Sequence, residues 1–207
     1  MFSKIIKASA KYYAQKLAIK GPSPEGVDWK DGKSQNLRFH ILVQVDSLAG
    51  KSIHDVGCGL GHLVDFLKER AINCHYVGSD ISHEMIHEAR QRLPHVHFYI
   101  GDILNQTEDW MKADYILASG LFYVKGRTSN RYWWKFVQSM IERMYQLAKY
   151  GIAFNMMTSY VDFKAPHLFY LSPETMMKYC CNQLSPRVTI RHDYPLYEYT
   201  VYVYKKK

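Results

Sequence analysis

Strand-like and helix-like patterns alternate through the middle of this chain, and that alternation constrains its fold more than any other feature. Short apolar runs typical of strands recur between segments whose apolar residues are spaced as on one face of a helix. The predicted strands cover residues 52–56, 75–78, 96–100, 115–118 and 152–156. Because strands connected by helices pair in parallel, the pattern predicts an α/β fold, a Rossmann-like doubly wound sheet with helices on both faces.

The predicted helices begin at residues that commonly cap helices. Ser82 caps the helix after the second strand, and a long helix covers about residues 129–150. Ser172, which is followed by proline, starts the last helix. Ahead of the first strand, a loop rich in glycine and proline at 21–32 leads to a helix predicted over residues 34–48.

Two β-rich segments at the end of the sequence, residues 187–193 and 198–204, do not follow this alternation. Only residues 194–197 separate them. A connection this short joins antiparallel strands, because parallel neighbours need a crossover of about a dozen residues or more. The predicted sheet is therefore mostly parallel, with a C-terminal antiparallel hairpin.

The length of 207 residues fits one hydrophobic core with a short appendage. We expect an N-terminal basic helix and loop at residues 1–33 and a single domain at 34–207. The longest nearly uninterrupted apolar run, 115–124, is shorter than the roughly 20 residues of a membrane-spanning helix, so no such span is predicted. The four cysteines lack CxxC spacing and the histidines lack an HExxH motif, which predicts a reducing, cytoplasmic location and no metal site.

The net charge of +8 is carried by the two ends of the chain. Residues 1–38 hold eight bases and three acids, the last three residues are lysines, and residues 39–204 hold sixteen of each sign. This distribution does not favour a nucleic-acid partner, because a nucleic-acid enzyme would carry its basic excess on the working face.

Residues 1–20 have the pattern of a basic amphipathic helix. Their apolar residues recur at helical spacing, and Lys4, Lys7 and Lys11 share another face. We expect a helix packed over the domain with solvated lysines. The alternatives are weak contact with a membrane surface and a mitochondrial presequence.

The segment Asp55-Val56-Gly57-Cys58-Gly59-Leu60-Gly61 stands where the first strand turns into a helix. Glycines at such a turn let the backbone pass close to a ligand and expose helix-terminal N–H groups to it. The dinucleotide fingerprint GxGxxG is not matched, since the third glycine comes one position early and His62 takes the sixth position. With Asp55 two residues before the first glycine, the loop predicts a ligand that carries an ammonium group and no pyrophosphate.

Two more acids follow the next two strands. Asp80 ends the second strand, about 20 residues beyond the glycine loop, where a carboxylate can accept both hydroxyls of a ribose. Asp102 ends the third strand and can accept from an exocyclic amine. Each acid alone fits an ordinary helix cap or loop. Three acids at successive strand ends indicate a ligand site, because ligands of open α/β sheets bind at the carboxyl ends of the strands.

At these segments the chain resembles the class I S-adenosylmethionine-dependent methyltransferases. DVGCGLG is similar to the family's glycine-rich first motif, VGSDIS to its ribose-binding second strand, and GDIL to its adenine-contacting segment. The resemblance covers about residues 34–204, including the closing hairpin. It implies a methyltransferase with S-adenosylmethionine as its cofactor.

The resemblance also implies a cofactor site, position by position. The glycines would surround the methionine part, and Asp80 would bind the ribose. Asp102 would contact the adenine amine, with Ile103 beside the ring. Ser119 would lie near the transferable methyl group, and Arg38 would hold the cofactor carboxylate. The implied cofactor-binding residues in chain order are Arg38, Asp55, Gly57, Gly59, Gly61, Asp80, Ile81, Asp102, Ile103 and Ser119.

The acceptor is less constrained by the sequence. After the fourth strand the chain has no Asn/Asp-Pro-Pro motif, by which nucleobase amino-methyltransferases resemble one another, and it has no Pro-Cys of the cytosine-C5 enzymes. We therefore expect a small-molecule acceptor, methylated on oxygen or nitrogen by in-line displacement, with His192, Tyr123 and Glu198 as candidate bases. The aromatic residues that could line its pocket are Tyr12, Tyr13, Trp29, Phe122, Trp133 and Trp134, although the last two are expected in the core.

Three alternatives to this function stay open from the sequence. The same fold could methylate RNA or protein reached through its basic ends, bind the cofactor without turnover, or support an intramolecular displacement on the cofactor itself. For the N-terminal segment we expect a lid over the cofactor, the alternative being an arm that docks on anionic vesicles or RNA.

Overall fold

The computed structural model describes residues 2–23, 31–106 and 108–206. They include a seven-stranded sheet in the order β3-β2-β1-β4-β5-β7-β6. The strands are β1 Ser52–Val56, β2 His75–Asp80, β3 His97–Ile100, β4 Ala113–Ala118, β5 Ala148–Met157, β6 Val188–Arg191 and β7 Glu198–Tyr204. The helices are α1 Ser3–Lys20, α2 Gly32–Leu42, α3 His62–Glu69, α4 His83–Arg92, α5 Asn130–Leu147 and α6 Pro173–Gln183.

The strand directions agree with the predicted fold class. Strands β1 to β5 pair in parallel, whereas β7 is antiparallel to both β5 and β6. Buried apolar residues lie on both faces of the sheet: one cluster includes Ile116 and Phe154 with α5, and another includes Ile53 and Leu117 with α2 and α3. The mostly parallel doubly wound sheet with a C-terminal antiparallel hairpin is confirmed.

The caps predicted for two helices are present, and one predicted helix start is wrong. The Oγ atoms of Ser82 and Ser172 accept from the backbone N–H of the third residue of α4 and of α6, Met85 and Thr175. Helix α2 begins at Gly32 because Asp31, not Ser34, is its cap, and Asp31 Oδ1 accepts from the Ser34 N–H at 2.7 Å. The α-helix ends at Leu42, and a 3₁₀ turn continues the chain to Val45.

Three strands, β2, β4 and β5, are longer than predicted, and β4 begins at Ala113 rather than at residue 115. Strand β2 continues to Asp80, since its last residues pair with Tyr99 and Ile100. Strand β5 begins at Ala148, where the sequence predicted a continuing helix, because Ala148 already pairs with Ala113 of β4. Asp80 and Met157, the last residues of β2 and β5, are therefore part of the sheet and are positioned by its backbone hydrogen bonds.

Helix α1 packs across the carboxyl ends of the strands. At its start, the Phe2 ring lies 5.5 Å from the Phe136 ring of α5. Towards its end, Leu17 packs with Leu60 of the glycine loop and Met85 of α4. The lysines at positions 4, 7 and 11 are exposed, as expected for a packed helix with a solvated basic face. Within the described ranges, no helix is long and apolar enough to cross a membrane.

Candidate functional site

A cavity of about 600 Å³ lies at the carboxyl edge of the sheet, beneath α1. The strand order places five lining residues in a row along this edge: Asp102 after β3, Asp80 at the end of β2, Gly57 after β1, Ser119 after β4, and Glu198 at the start of β7. Glu198 belongs to this edge because β7 runs antiparallel, so its first residue pairs with the last residue of β5. We call the part lined by residues 55–60, 79–81 and 101–103 the glycine-loop end, and the part lined by residues 38, 123, 157, 167–168 and 195–198 the β7 end.

The three glycines of the loop have different surroundings. Gly57, Gly59 and Gly61 all have positive φ, at 74°, 53° and 73°. A Cβ at Gly57 would lie 2.8 Å from Leu121 Cδ1, across the cavity wall. A Cβ at Gly61 would lie 2.6 Å from the Phe98 ring, away from the lining. Gly57 and Gly59 therefore face the cavity, whereas Gly61 is required for packing at the start of α3.

The Asp80 carboxylate joins the glycine loop to the start of α4. Its Oδ2 accepts from the Gly59 N–H at 3.0 Å and its Oδ1 from the Ser82 N–H at 2.9 Å. Burial raises the pKa of Asp80, and these backbone hydrogen bonds oppose the rise. Ile81, next along the chain, also lines the cavity.

Asp55 is buried beneath the glycine loop. Its Oδ2 accepts from the Tyr76 hydroxyl at 2.8 Å. Burial raises the pKa of Asp55 to about 7, the Tyr76 hydrogen bond opposes this, and the charge of Asp80 adds to it. A ligand ammonium group beside Asp55 would favour the ionised carboxylate and lower that pKa again.

Asp102 and Ile103 follow β3 and line the same end of the cavity. Asp102 Oδ1 accepts from the Leu104 N–H at 3.0 Å, and the Asn105 side chain donates to Oδ2. Ile103 is almost fully buried in the core that supports the cavity floor. A carboxylate beside an apolar side chain suits a planar ring that carries an amino group.

Ser119 marks the middle of the row, between the two ends. Its Oγ is buried and has no hydrogen-bond partner among the described residues, although the residue lines the cavity. The next residue is held firmly, because the Gly120 N–H donates to Asn155 Oδ1 at 2.7 Å. Ser119 thus offers a hydroxyl that a bound ligand could use.

At the β7 end, Glu198 holds two partners through one oxygen. Glu198 Oε2 accepts from Arg38 Nε at 2.8 Å and from the Tyr123 hydroxyl at 2.7 Å. Burial raises the pKa of Glu198, and the charge of Arg38 opposes the rise. The other oxygen, Oε1, is buried without a hydrogen-bond partner in the described part of the chain. The sequence treated Arg38 and Glu198 as separate candidates, and the structure brings them together with Tyr123.

The third candidate base, His192, is placed elsewhere. It is exposed, its ring lies 6.2 Å from the Tyr160 ring and 6.0 Å from that of Tyr199, and it does not line the cavity. The neighbouring Asp193 pairs with Arg191 at 2.8 Å. We therefore do not retain His192 as a candidate base.

Of the aromatic residues expected around an acceptor, Tyr13 alone among the described ones lines the cavity. Phe122 is buried, and Trp133 lies in the core, where its Nε1 donates to the Phe122 carbonyl at 3.0 Å. Trp134 packs against the Phe169 and Tyr179 rings. Trp29 lies outside the described residues. The sequence reasoning missed the lining residue Gln35 of α2. It also missed lining residues outside the helices and strands, namely His167, Leu168, Leu196 and Tyr197.

Comparisons with known proteins agree with this geometry. A family model described as a methyltransferase domain matches residues 53–151. Rv1506c of Mycobacterium tuberculosis, which carries a provisional methyltransferase name, is 33% identical over 156 residues, covering 74% of this chain and 93% of its own. Trans-aconitate 2-methyltransferase of Rhodopseudomonas palustris is 40% identical over 82 residues, 40% of this chain and 32% of that enzyme.

Solved structures share the fold at low sequence identity. N-methyltransferase NodS from Bradyrhizobium japonicum, in complex with S-adenosylhomocysteine, has a TM-score of 0.67 at 15% identity, covering 96% of this chain and 98% of its own. Human N-acetylserotonin methyltransferase, in complex with S-adenosylmethionine, has a TM-score of 0.68 at 12% identity, covering 100% of this chain and 60% of its own.

The residues at the glycine-loop end fit such a cofactor. A Cβ at Gly57 would clash with the lining residue Leu121, and the lining residue Ser119 has a buried hydroxyl without a partner among the described residues. Carboxylates stand at the end of β2 and just after β3. The sequence similarity to Rv1506c, which covers 74% of this chain, and the residues of this site point to the same family. The chain belongs to the class I S-adenosylmethionine-dependent methyltransferases.

Proposed function

We propose that this methyltransferase acts on a small-molecule acceptor, methylates it on oxygen or nitrogen, and receives it at the β7 end of the cavity. One observation carries the proposal: Glu198 lines that end with one carboxylate oxygen fixed by Arg38 and Tyr123 and the other buried without a partner among the described residues. A buried acceptor atom of this kind requires a donor, and the N–H or O–H of a methyl acceptor would supply it.

The cofactor, which supplies a methyl group on a positively charged sulfur, would occupy the glycine-loop end. We assign Asp80 to the ribose hydroxyls, Asp102 and Ile103 to the adenine, and Asp55 to the ammonium group. The support is the row order along the sheet edge, in which adjacent strands lie about 4.8 Å apart. Gly57 and Gly59 would let the methionine part approach the backbone.

Three residues of the β7 end would have separate roles towards the acceptor. Glu198 would orient the acceptor and take up its proton. Tyr123 and Arg38 would act as positioning residues, because both donate to the same oxygen and leave the other one for the acceptor. We assign Arg38 to this role because its Nε donates to Glu198.

A small acceptor is favoured over RNA or protein by the cavity. Its volume lies in the range of about 300–1,000 Å³ typical of small-ligand sites. The names of several relatives also give a small molecule, trans-aconitate, as the acceptor, although each of those matches spans 40% or less of the relative's own length. The exposed lysines of α1 lie outside the lining.

We further propose that α1, within the N-terminal segment 1–33, covers the site of a methyltransferase domain at residues 34–207. Residues 1 and 24–30 of that segment lie outside the described residues. Ile6, Ser9 and Tyr13 of α1 line the cavity, which supports a lid that excludes water from the reacting groups. Changing Tyr13 to Ala should weaken cofactor binding, while Lys11→Ala, which alters an exposed residue of the same helix outside the lining, should not. Equal effects would favour a docking arm over a lid.

A cytoplasmic location is also part of the proposal. All four cysteines are free thiols, and Cys58 and Cys180 are buried. Free thiols suit a reducing compartment.

Transfer of a labelled methyl group tests the class of acceptor. The full chain is incubated with methyl-labelled S-adenosylmethionine and an extract of the source cells, which is then separated by size. Label should enter the low-molecular-weight filtrate. Label found in RNA or protein would support a macromolecular acceptor, and cofactor binding without any transfer would support a module that binds but does not turn over.

A further inference from the structure

We infer that the methyl acceptor is an amine, held through an N–H at the buried Oε1 of Glu198 with its apolar body against the side chains of the β7 end. The inference rests on the proposed function and names the chemical class of its acceptor. Glu198 is 2% exposed, and Oε1 is the oxygen not used by Arg38 or Tyr123. An oxygen in this state binds a donor and repels an anion.

The charges around the cavity oppose an acidic acceptor. Among the lining residues that the structure describes, four are carboxylic acids, namely Asp55, Asp80, Asp102 and Glu198. The guanidinium in the lining, that of Arg38, is engaged by Glu198 at 2.8 Å. These lining residues include more acids than arginines and no lysine, so they would repel a carboxylate acceptor. The same negative charges would attract an amine, which is positively charged when protonated.

The chemistry of the transfer favours nitrogen over oxygen at this position. An alkylamine binds as its ammonium ion and first loses one N–H proton to water, which frees the nitrogen lone pair. The lone pair then forms the new C–N bond while the C–S bond breaks and sulfur keeps its electron pair. Positive charge therefore moves from sulfur to nitrogen, where a fixed carboxylate stabilises it in the transition state. The N–H proton then passes to Glu198 Oε1. An alcohol hydroxyl is a much weaker acid than the methylated ammonium ion that forms on nitrogen. Its deprotonation would therefore require a stronger base than a carboxylate.

The remaining walls of the β7 end suit an apolar body. Met157, Leu168, Leu196 and Tyr197 contribute apolar surface there. Tyr197 is also 59% exposed, and its hydroxyl donates to Asp162 at 2.6 Å, so its ring stands at the outer rim of the cavity. An acceptor with an aromatic or alkyl part next to the amine would bury that part against these side chains.

Binding of three matched probes tests the inference without relying on turnover. The full chain is loaded with S-adenosylhomocysteine and titrated calorimetrically with 2-phenylethylamine, 2-phenylethanol and phenylacetate, which share an aromatic body. We expect the amine to bind at least about tenfold more tightly than the other two, as for a hydrogen bond to a charged group. Glu198→Gln should remove that preference, and Glu69→Gln, which changes an exposed acid at the end of α3, should keep it.

The outcomes separate the inference from the proposed function. Tighter binding of the alcohol or the acid, or an amine preference that survives Glu198→Gln, would overturn the amine assignment while label transfer to small molecules still supported the broader proposal. Failure of the amine to bind the loaded protein better than its hydroxyl counterpart would also overturn it. Label transfer confined to RNA or protein would instead overturn the proposed function.

Discussion

Arg38 of α2 and Glu198 of β7 form an ion pair at 2.8 Å across 160 residues of sequence, with side chains 13% and 2% exposed. The pair ties the helix before the first strand to the strand inserted between β5 and β6. Removing one partner of a buried pair is more costly than removing both, because the remaining charge stays buried without its counterion.

Arg38→Met should therefore lower the free energy of unfolding by about 3–5 kcal/mol, and adding Glu198→Gln should recover part of that loss. Urea unfolding of the wild type, both single variants and the double variant measures the coupling. Strictly additive losses would mean that the pair does not contribute to stability as a unit.

Asp80→Ala should weaken S-adenosylmethionine binding by about 1.5–3 kcal/mol, the range for hydrogen bonds to a charged group. The variant loses the proposed ribose contact and also the acceptor for the Gly59 and Ser82 N–H groups. Calorimetric titration gives the dissociation constant, with Asp109→Ala, an exposed acid, as the control. Unchanged affinity in Asp80→Ala would move the ribose site elsewhere.

Gly61→Ala should destabilise the fold more than Gly50→Ala. Both glycines have φ near +70°, at 73° and 72°, so both variants carry a backbone strain of about 1–2 kcal/mol. Only at Gly61 does the new Cβ meet a side chain, the Phe98 ring at 2.6 Å, which adds about 1–3 kcal/mol of overpacking. Equal urea midpoints for the two variants would show that the clash is relieved without cost.

His54 should make the protein less stable in acid. Its Nδ1 donates to the Met111 carbonyl at 2.9 Å and its Nε2 accepts from the Ser79 hydroxyl at 2.7 Å, so the ring is neutral and fully paired. Burial lowers the pKa of His54 from 6.5 to about 4. Between these values the unfolded chain binds more protons, so the free energy of unfolding falls as the pH falls, by up to about 3 kcal/mol.

The measurement for His54 compares stability against pH for wild type and His54→Phe. The comparison is needed because Asp55 acts in the opposite sense: its folded pKa of about 7 lies above the ordinary 3.8, so its contribution falls as the pH rises through that range. The difference between the two profiles should level off outside pH 4–6.5, and His87→Gln, an exposed histidine, should leave the profile unchanged. Parallel profiles for wild type and His54→Phe would contradict the assignment.

The fold, and the positions of most residues that line the glycine-loop end, could be predicted from the sequence because their signals are local. A strand, a cap and a glycine turn each occupy a few consecutive residues, and Asp80 and Asp102 could be placed from the strands that they end. The start of α2 was missed because Asp31 and Ser34 are both good caps, and the choice between them depends on how the helix packs.

The β7 end could not be assembled from the sequence, for a physical reason. Arg38, Tyr123 and Glu198 come from three distant segments, and their contacts depend on the order of β5, β7 and β6 in the sheet. His167 and Tyr197 lie in irregular segments without periodic spacing, so no local pattern marks them as lining residues. Likewise, His192 stands in sequence beside the hairpin, but its side chain faces Tyr160 and solvent.

The central claim is that Glu198 acts on the acceptor and not on the cofactor. Turnover and cofactor affinity of Glu198→Gln, measured side by side with an acceptor identified by label transfer, test it most directly. We predict that kcat at saturating cofactor falls by about 100-fold, as for loss of a proton-accepting group, while the dissociation constant for S-adenosylmethionine stays within about twofold. Unchanged kcat, or a loss explained entirely by weaker cofactor binding, would contradict the account.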